Sequence, residues 1–274
     1  MDLVRADLHN HLKTGGSLPR TIDVNQVIDK ARVRLGRQGV LGVINYFPSK
    51  RYEDFVQDGT YMRRDIGNAL YFPDKQIIVV KGEEVEARLP GGCGQVDLLF
   101  FGVDKNKHPQ HGRILSDAIK EARDLGALVG ADHSFHHSGI GPYLENNPDL
   151  LGALDFFGVH NGEAAIWLPG YSKANKKAQQ FFNMVRKYHK ELRHTLGKLV
   201  SSDGHSKFEI GSSYMEIKKL DLTDRNTIVS SLKEGLIYAA NNDLPDKRYN
   251  SYFGAAKHIA EWAVRKMGVK LGSY

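Results

Sequence analysis

Three residues near the start of the chain, Asp7, His9 and His11, alternate along Ala6-Asp7-Leu8-His9-Asn10-His11-Leu12. Side chains two apart on an extended segment face the same way, so two imidazoles and a carboxylate are expected to share one side. Neutral imidazole nitrogens are good ligands for zinc, manganese or iron, and a nearby carboxylate completes or orients such a site. Taken alone, the segment reads equally well as a pair of partly exposed loop histidines. The remaining ligands must come from elsewhere, and residues of the right type follow other apolar runs. Glu84 follows Ile77-Ile78-Val79-Val80, His133 follows Leu128-Val129-Gly130-Ala131, and Asp203 and His205 follow Leu199-Val200-Ser201.

Those runs read as strands alternating with helices. Leu3-Val4 opens a first strand, and Ile22 to Leu35 has helical spacing at Val24, Val27, Ile28 and Ala31. Val40 to Ile44 is a short buried strand, and Tyr52 to Tyr71 is mixed and helical in part. Val96 to Val103 is a strand joined to the preceding one by the turn Leu89-Pro90-Gly91-Gly92-Cys93-Gly94. Ile114 to Leu125 is a helix stopped at Gly126. Leu154 to Val159 leads as a strand into His160-Asn161. A helix over Asp224 to Glu234, a strand around Ile237 and a last helix over Ala255 to Met267 complete the chain. No linker, repeat or low-complexity tract divides residues 1–274, so one α/β domain with a mostly parallel sheet, open or closed, is expected. In such folds sites are built at the carboxyl ends of strands, where these metal-ligand types fall.

The composition is that of an ordinary globular protein, 41% hydrophobic and 26% charged over 274 residues. Cys93 is the only cysteine, which excludes an internal disulfide and fits a reducing compartment. The start of the sequence resembles neither a signal nor a transit peptide, and Leu98-Leu99-Phe100-Phe101 is too short to span a bilayer. A cytoplasmic protein with no membrane partner is expected. The net charge of +6 favours anionic ligands. Much of it lies on one helix, where Lys173, Lys176, Lys177, Arg186, Lys187, Lys190 and Arg193 oppose Ala174, Ala178, Phe181, Val185, Tyr188 and Leu192. A solvated basic face accounts for this better than a nucleic-acid groove, because no nucleic-acid-binding motif accompanies it.

Asp7-Leu8-His9-Asn10-His11 resembles the opening motif of the PHP family, the polymerase and histidinol phosphatase domains. Lys81-Gly82-Glu83-Glu84-Val85 is similar to that family's Gly-x-Glu segment, with Glu84 at the metal-bridging position. Leu128 to His133 is similar to its apolar strand ending in a ligand His. Gly158-Val159-His160-Asn161 sits where the family often has Glu-Val-x-Asn. Ser202-Asp203-Gly204-His205-Ser206 resembles its late Ser-Asp-x-His-Ser signature. The resemblance implies a distorted seven-stranded (β/α) barrel, a cluster of two or three transition-metal ions and hydrolysis of phosphate esters. This chain departs from the pattern at Ile44-Asn45-Tyr46, where the family has Thr-Asp-His, and over Lys13 to Leu18, which lacks the extra ligand. Gly158 also replaces an acidic residue. Two divalent ions (manganese, zinc or iron) are therefore expected, rather than three.

The metal-ligand set expected is Asp7, His9, His11, Glu84, His133, Asp203 and His205. His9, His11 and Asp203 hold one ion, and Glu84 bridges it to a second held by His133. Such a pair acidifies bound water into a nucleophile and neutralises charge on phosphoryl oxygens. His205, His160 and His136 are the candidate catalytic proton carriers, with His137 beside them, and Lys13 or Arg88 are candidate phosphate clamps; His108, His111 and His258 are assigned nothing. The expected substrate is a phosphorylated small molecule or nucleotide, a mono- or diester. Three alternatives stay open: a nuclease acting on nucleic-acid ends, the same ligands turned to amide or deaminase chemistry, and a degenerate barrel kept for binding or structure.

Overall fold

The computed structural model describes residues 2–12, 23–165, 172–242 and 246–248. The expected helix over Ala255 to Met267, and Lys13, lie outside the described residues. In chain order the elements are β1 (Leu3–Asp7), α1 (Val24–Leu35), β2 (Gly39–Tyr46), α2 (Arg51–Gln57), β3 (Arg64–Asp65), β4 (Ala69–Phe72), β5 (Ile77–Arg88), β6 (Gln95–Phe101) and β7 (Arg113–Ile114). There follow α3 (Leu115–Asp124), β8 (Leu128–Ala131), α4 (Gly141–Asn146), β9 (Phe156–Asn161), α5 (Lys173–Tyr188), β10 (Gly197–Ser201), β11 (Tyr214–Lys218), α6 (Arg225–Asn241) and β12 (Asp246–Lys247).

The strands form one sheet in the order β10-β9-β8-β6-β5-β2-β1-β11-β12, curled into a nearly closed, distorted barrel. Closure comes from the segment just beyond β1. His11 N and Leu12 N both donate to Gly204 O, at 2.8 and 3.1 Å, and Gly204 N donates back to His9 O at 3.2 Å. A Cβ at Gly204 would lie 2.5 Å from Asn10 Oδ1, so the two segments meet this closely only because the residue is glycine.

Side-chain alternation explains why the central strands read as continuous apolar runs. On β2 and β5, Val40, Ile44, Ile78 and Val80 pack into the main core. Leu41, Val43, Ile77 and Val79 pack outward, against Val27, Ile28, Ala31 and Leu35 of α1 and Tyr52 and Phe55 of α2. Both faces are buried, as a helix-covered sheet requires. Each fully buried side chain of this size contributes about 1.5–3 kcal/mol. The helix α1 starts where Asp23 accepts from Gln26 N at 3.1 Å and stops at Gly36, whose φ of 82° suits glycine.

Several expectations are corrected. The sheet is mixed rather than mostly parallel, because β6 runs antiparallel to both β5 and β8, and β11 runs antiparallel to β1. The loop from Leu89 to Gly94 is too short for the crossover a parallel pair needs, so it makes a hairpin, with positive φ at Gly91, Gly92 and Gly94. The strand expected around Ile237 lies inside α6, where Ile228, Leu232, Leu236 and Ala239 form one buried helical stripe. The alternating strand Tyr214–Lys218 and the small β3–β4 pair are additions. On α5, Tyr188 faces solvent and Phe182 joins the buried stripe instead.

Candidate metal centre

The strand and loop ends bring four of the expected side chains to one buried point. His9 Nε2 lies 3.0 Å from His11 Nε2 and 3.3 Å from Asp203 Oδ1. His11 Nε2 lies 2.8 Å from Glu84 Oε2, and His133 Nε2 lies 3.5 Å from Glu84 Oε1. Three overlapping sets have donor atoms within metal-binding reach: His9, His11 and Glu84; His11, Asp203 and His205; and Glu84, Asp97 and His133. Glu84 faces this point because it continues the inward register of Ile78 and Val80, whereas Glu83 continues the outward register of Ile77 and Val79.

Neighbouring groups hold the ligands from behind. Asp132 Oδ1 accepts from His9 Nδ1 at 2.9 Å, which fixes the tautomer and leaves Nε2 as a lone pair aimed at the cluster. Asp203 O accepts from His205 Nδ1 at 2.9 Å with the same effect. Asn161 Nδ2 donates to Asp203 Oδ2 at 2.9 Å, so Oδ1 is the oxygen presented. Asp203 itself adopts a left-handed conformation, φ 50°, a strained state found where side chains must be aimed.

The electrostatics are those of a cation site. Burial opposes charging His9, yet the carboxylates of Asp132 and Asp203 raise its pKa well above the ordinary histidine value. His133 is raised to about 10, against its burial, by Asp132 and Glu84. Burial works against ionising Glu84 and Asp203, but the imidazoles around them hold both well below the usual carboxylate range. Asp97, pushed up to about 7 by burial and then by the Glu84 charge, shows an excess of negative charge around the His133 end. Asp203 Oδ1, turned toward the imidazoles, is buried without a hydrogen-bond partner. Oxygen and nitrogen lone pairs packed this way are costly unless a cation gathers them, so the donor set fits divalent metal ions.

The cluster floors a cavity of about 390 Å³ whose lining includes Tyr46, Glu86, His136, His137, Glu163 and His205. His136 and His205 therefore share the cavity with the ligands. His160 does not. Its Nε2 pairs with Ser213 Oγ at 3.1 Å and its Nδ1 with Asn175 at 3.1 Å. Burial, and secondarily Arg248, lower its pKa to about 3, so it stays neutral. Its place is structural, which corrects the catalytic role expected for it. Asp7 is also corrected. Both its oxygens are occupied, by Ser202 N at 3.0 Å, Ser202 Oγ and Gly211 N at 2.8 Å, because β1 ends at Asp7 and the alternation with His9 ends with it. Arg88 is tied to Gly112 O at 2.7 Å, away from the cavity lining.

Asp97, Asp132 and Asn161 were not among the expected site residues. Asp132 and Asn161 sit next to His133 and His160, and an acidic or amide neighbour of a histidine at a strand end was the available signal. Asp97 lay outside the strand-end rule, since β6 runs the opposite way and offers its beginning to the site.

No family model and no curated protein sequence matches the chain. Its structure resembles that of the lesion-specific endonuclease PfuEndoQ from Pyrococcus furiosus, with a TM-score of 0.55 and 13% identity, covering 90% of this chain and 58% of that one. An Endonuclease Q complex with a 27-mer duplex substrate carrying an abasic lesion at the active site gives a TM-score of 0.52 at 12% identity, again covering 90% of this chain and 58% of that chain. The chain thus spans less than two thirds of these endonucleases. PsfC from Pseudomonas syringae PB-5123 matches along 97% of this chain and 99% of its own, with a TM-score of 0.58 at 13% identity. The likeness shows a shared fold, a distorted α/β barrel.

Proposed function

We propose that this chain is a metal-dependent phosphoesterase of the PHP type. The observation that carries the reading is the buried convergence of His9, His11, Glu84 and Asp203, with His133 and Asp97 beside them. His9, His11 and Asp203 would hold one divalent ion, Glu84 would be shared, and His133 with Asp97 would hold the second. When bound, such a pair supplies Lewis acidity toward water and toward phosphoryl oxygens. The chain supplies the rest. Asp132 keeps the proton of His9 on Nδ1, and Asp203 O keeps that of His205 on Nδ1. In its charged form His205 can donate a proton from Nε2 to a leaving alkoxide. His136, whose pKa is lowered by burial and by His133, is neutral near pH 7 and suits accepting a proton.

Within this reading a phosphodiester of nucleic acid is the favoured substrate. The fold is shared with a lesion-specific endonuclease that binds duplex DNA, and α5 carries exposed Lys173, Lys176, Lys177 and Lys187. The small-molecule substrate expected from the sequence draws no support from these comparisons. The test is hydrolysis of bis(p-nitrophenyl) phosphate, p-nitrophenyl phosphate and a labelled duplex by manganese- or zinc-reconstituted protein, with and without chelator. His9→Ala and Asp203→Ala are each expected to remove most activity. Activity that survives both substitutions, or survives chelation, would place the chemistry elsewhere.

A further inference from the structure

A second cavity, of about 340 Å³, lies beside the metal centre, and nothing above uses it. It exists because β2 and β5 alternate. Tyr46 and Glu84, paired across the two strands, face the metal centre, while their neighbours Asn45 and Glu83, also paired, face the second cavity. The two spaces are separated by two rings. Tyr46 lies 5.9 Å from the His11 ring on one side and 6.4 Å from the His111 ring on the other. His111 Nδ1 in turn accepts from the backbone N–H of Glu86, a residue that lines the metal cavity, at 3.4 Å.

The walls of this cavity suit a flat ring. Phe47, 72% exposed, is held out by the reciprocal backbone pair Tyr46–Ser49, at 3.1 and 2.6 Å, and its ring lies 5.7 Å from that of His111. Pro48 and Pro109 extend the apolar rim. The floor is polar and fixed. Glu83 Oε1 alone takes Lys81 Nζ at 2.9 Å, Asn45 Nδ2 at 3.1 Å and His108 Nδ1 at 3.0 Å. All three contacts fall on one oxygen, so the other is left to accept from a ligand. Lys81 is itself locked by the carbonyls of Asp104, Lys105 and Lys107. Such a floor holds its geometry without a ligand.

We infer that this cavity is a subsite for the nucleobase of a nucleotide whose phosphate sits at the metal centre, with the ring against Phe47 and His111 and an N–H edge toward Glu83. An exposed aromatic rim stacks bases with little regard to sequence, and the fixed carboxylate selects bases carrying an N–H donor. The inference rests on the phosphoesterase reading, and the experiment separates the two.

Metal-reconstituted protein is titrated with three phosphonates whose P–C bonds resist hydrolysis: adenosine phosphonate, ribose phosphonate and methylphosphonate, with adenosine alone as the fourth probe. Adenosine phosphonate is expected to bind about tenfold or more tighter than ribose phosphonate. Phe47→Ala and His111→Ala should each remove most of that advantage while leaving ribose phosphonate binding unchanged. Phe47 is exposed, so its variant keeps the fold. Equal affinity for the adenosine and ribose phosphonates, or an advantage unchanged in both variants, overturns the subsite. If no phosphonate binds yet adenosine does, and both variants weaken it, the subsite stands and the phosphoesterase reading falls.

Discussion

Removing the Asp132 carboxylate by Asp132→Ala should weaken metal binding without touching a proposed ligand. Asp132 Oδ1 takes the Nδ1 proton of His9 at 2.9 Å, deep in the barrel, and so decides that Nε2 faces the cluster. Without it the ring can flip or present the wrong tautomer, and Nε2 becomes a poorer donor. Second-layer groups of this kind typically change metal affinity 10–100-fold, about 1.4–2.7 kcal/mol. The buried N–H left unpaired costs the metal-free fold about 1–3 kcal/mol more. The sign with pH is specific. Asp132 raises the His9 pKa, so it also strengthens the proton that competes with metal. The affinity deficit of the variant should therefore be largest at alkaline pH and shrink as pH falls. Competition titration of zinc against a chromophoric chelator from pH 6 to about 8.5 measures this. Asp132→Asn, which keeps an acceptor but not the charge, should fall between the two. An affinity within twofold of the parent protein at every pH would refute the assignment of His9 orientation to Asp132.

Glu84→Gln should cost bound metal, while Glu83→Gln should keep metal and lower the melting temperature, because Glu83 is the carboxylate partner of the buried Lys81 at 2.9 Å; elemental analysis and thermal melts on both variants decide it, and the reverse pattern would shift the register by one. Reconstitution with excess metal followed by desalting should give about two ions per chain, since the set His9, His11 and Glu84 shares His11 with the second set and Glu84 with the third, and Asp97→Asn should reduce that number. Burial raises the Asp7 carboxyl to about 6 despite its donors, so the folded state binds a proton more tightly than the unfolded chain. The stability Asp7 lends is present below about pH 4 and is lost as pH rises through about 6, about 3 kcal/mol in all. Denaturant melts of metal-free protein should show that slope reduced in Asp7→Asn; parallel pH profiles would show that Asp7 is not its source.

The legible part of the molecule was the part written in strand ends. His9 and His11, Glu84, His133, and Asp203 with His205 each close an apolar run, and the structure brings all but His9 to the lining of one cavity, with His9 buried against His11 and Asp203 beneath it. Alternation puts Glu83 on the opposite face from Glu84 and Glu86, but both faces of β5 are apolar, so it was the position at the strand end and the family resemblance that singled out Glu84, which lines that cavity. Alternation misled at Asp7, since it holds only while the backbone stays extended, and the chain leaves β1 there to pair with Gly204. It was silent about Asp97, because the short Leu89–Gly94 turn makes β6 antiparallel to β5 and so brings the beginning of β6, not its end, to the site. The helical stripe Ile228, Leu232, Leu236 and Ala239 was misread at Ile237 because an apolar residue beside the stripe imitates a short strand.

The backbone pairing of His9, His11 and Leu12 with Gly204 joins parts of the chain almost two hundred residues apart. His9 and His11 lie on one side of that seam, and Asp203 and His205 on the other. A cation shared between them would act as a rivet through both edges, so its binding energy would oppose opening of the whole barrel and not of a single loop. The contacts it secures are among the most distant in sequence and so among the slowest to form. Metal should then slow unfolding far more than it speeds folding, because the ligands become neighbours only once the last of the site-bearing strands has docked.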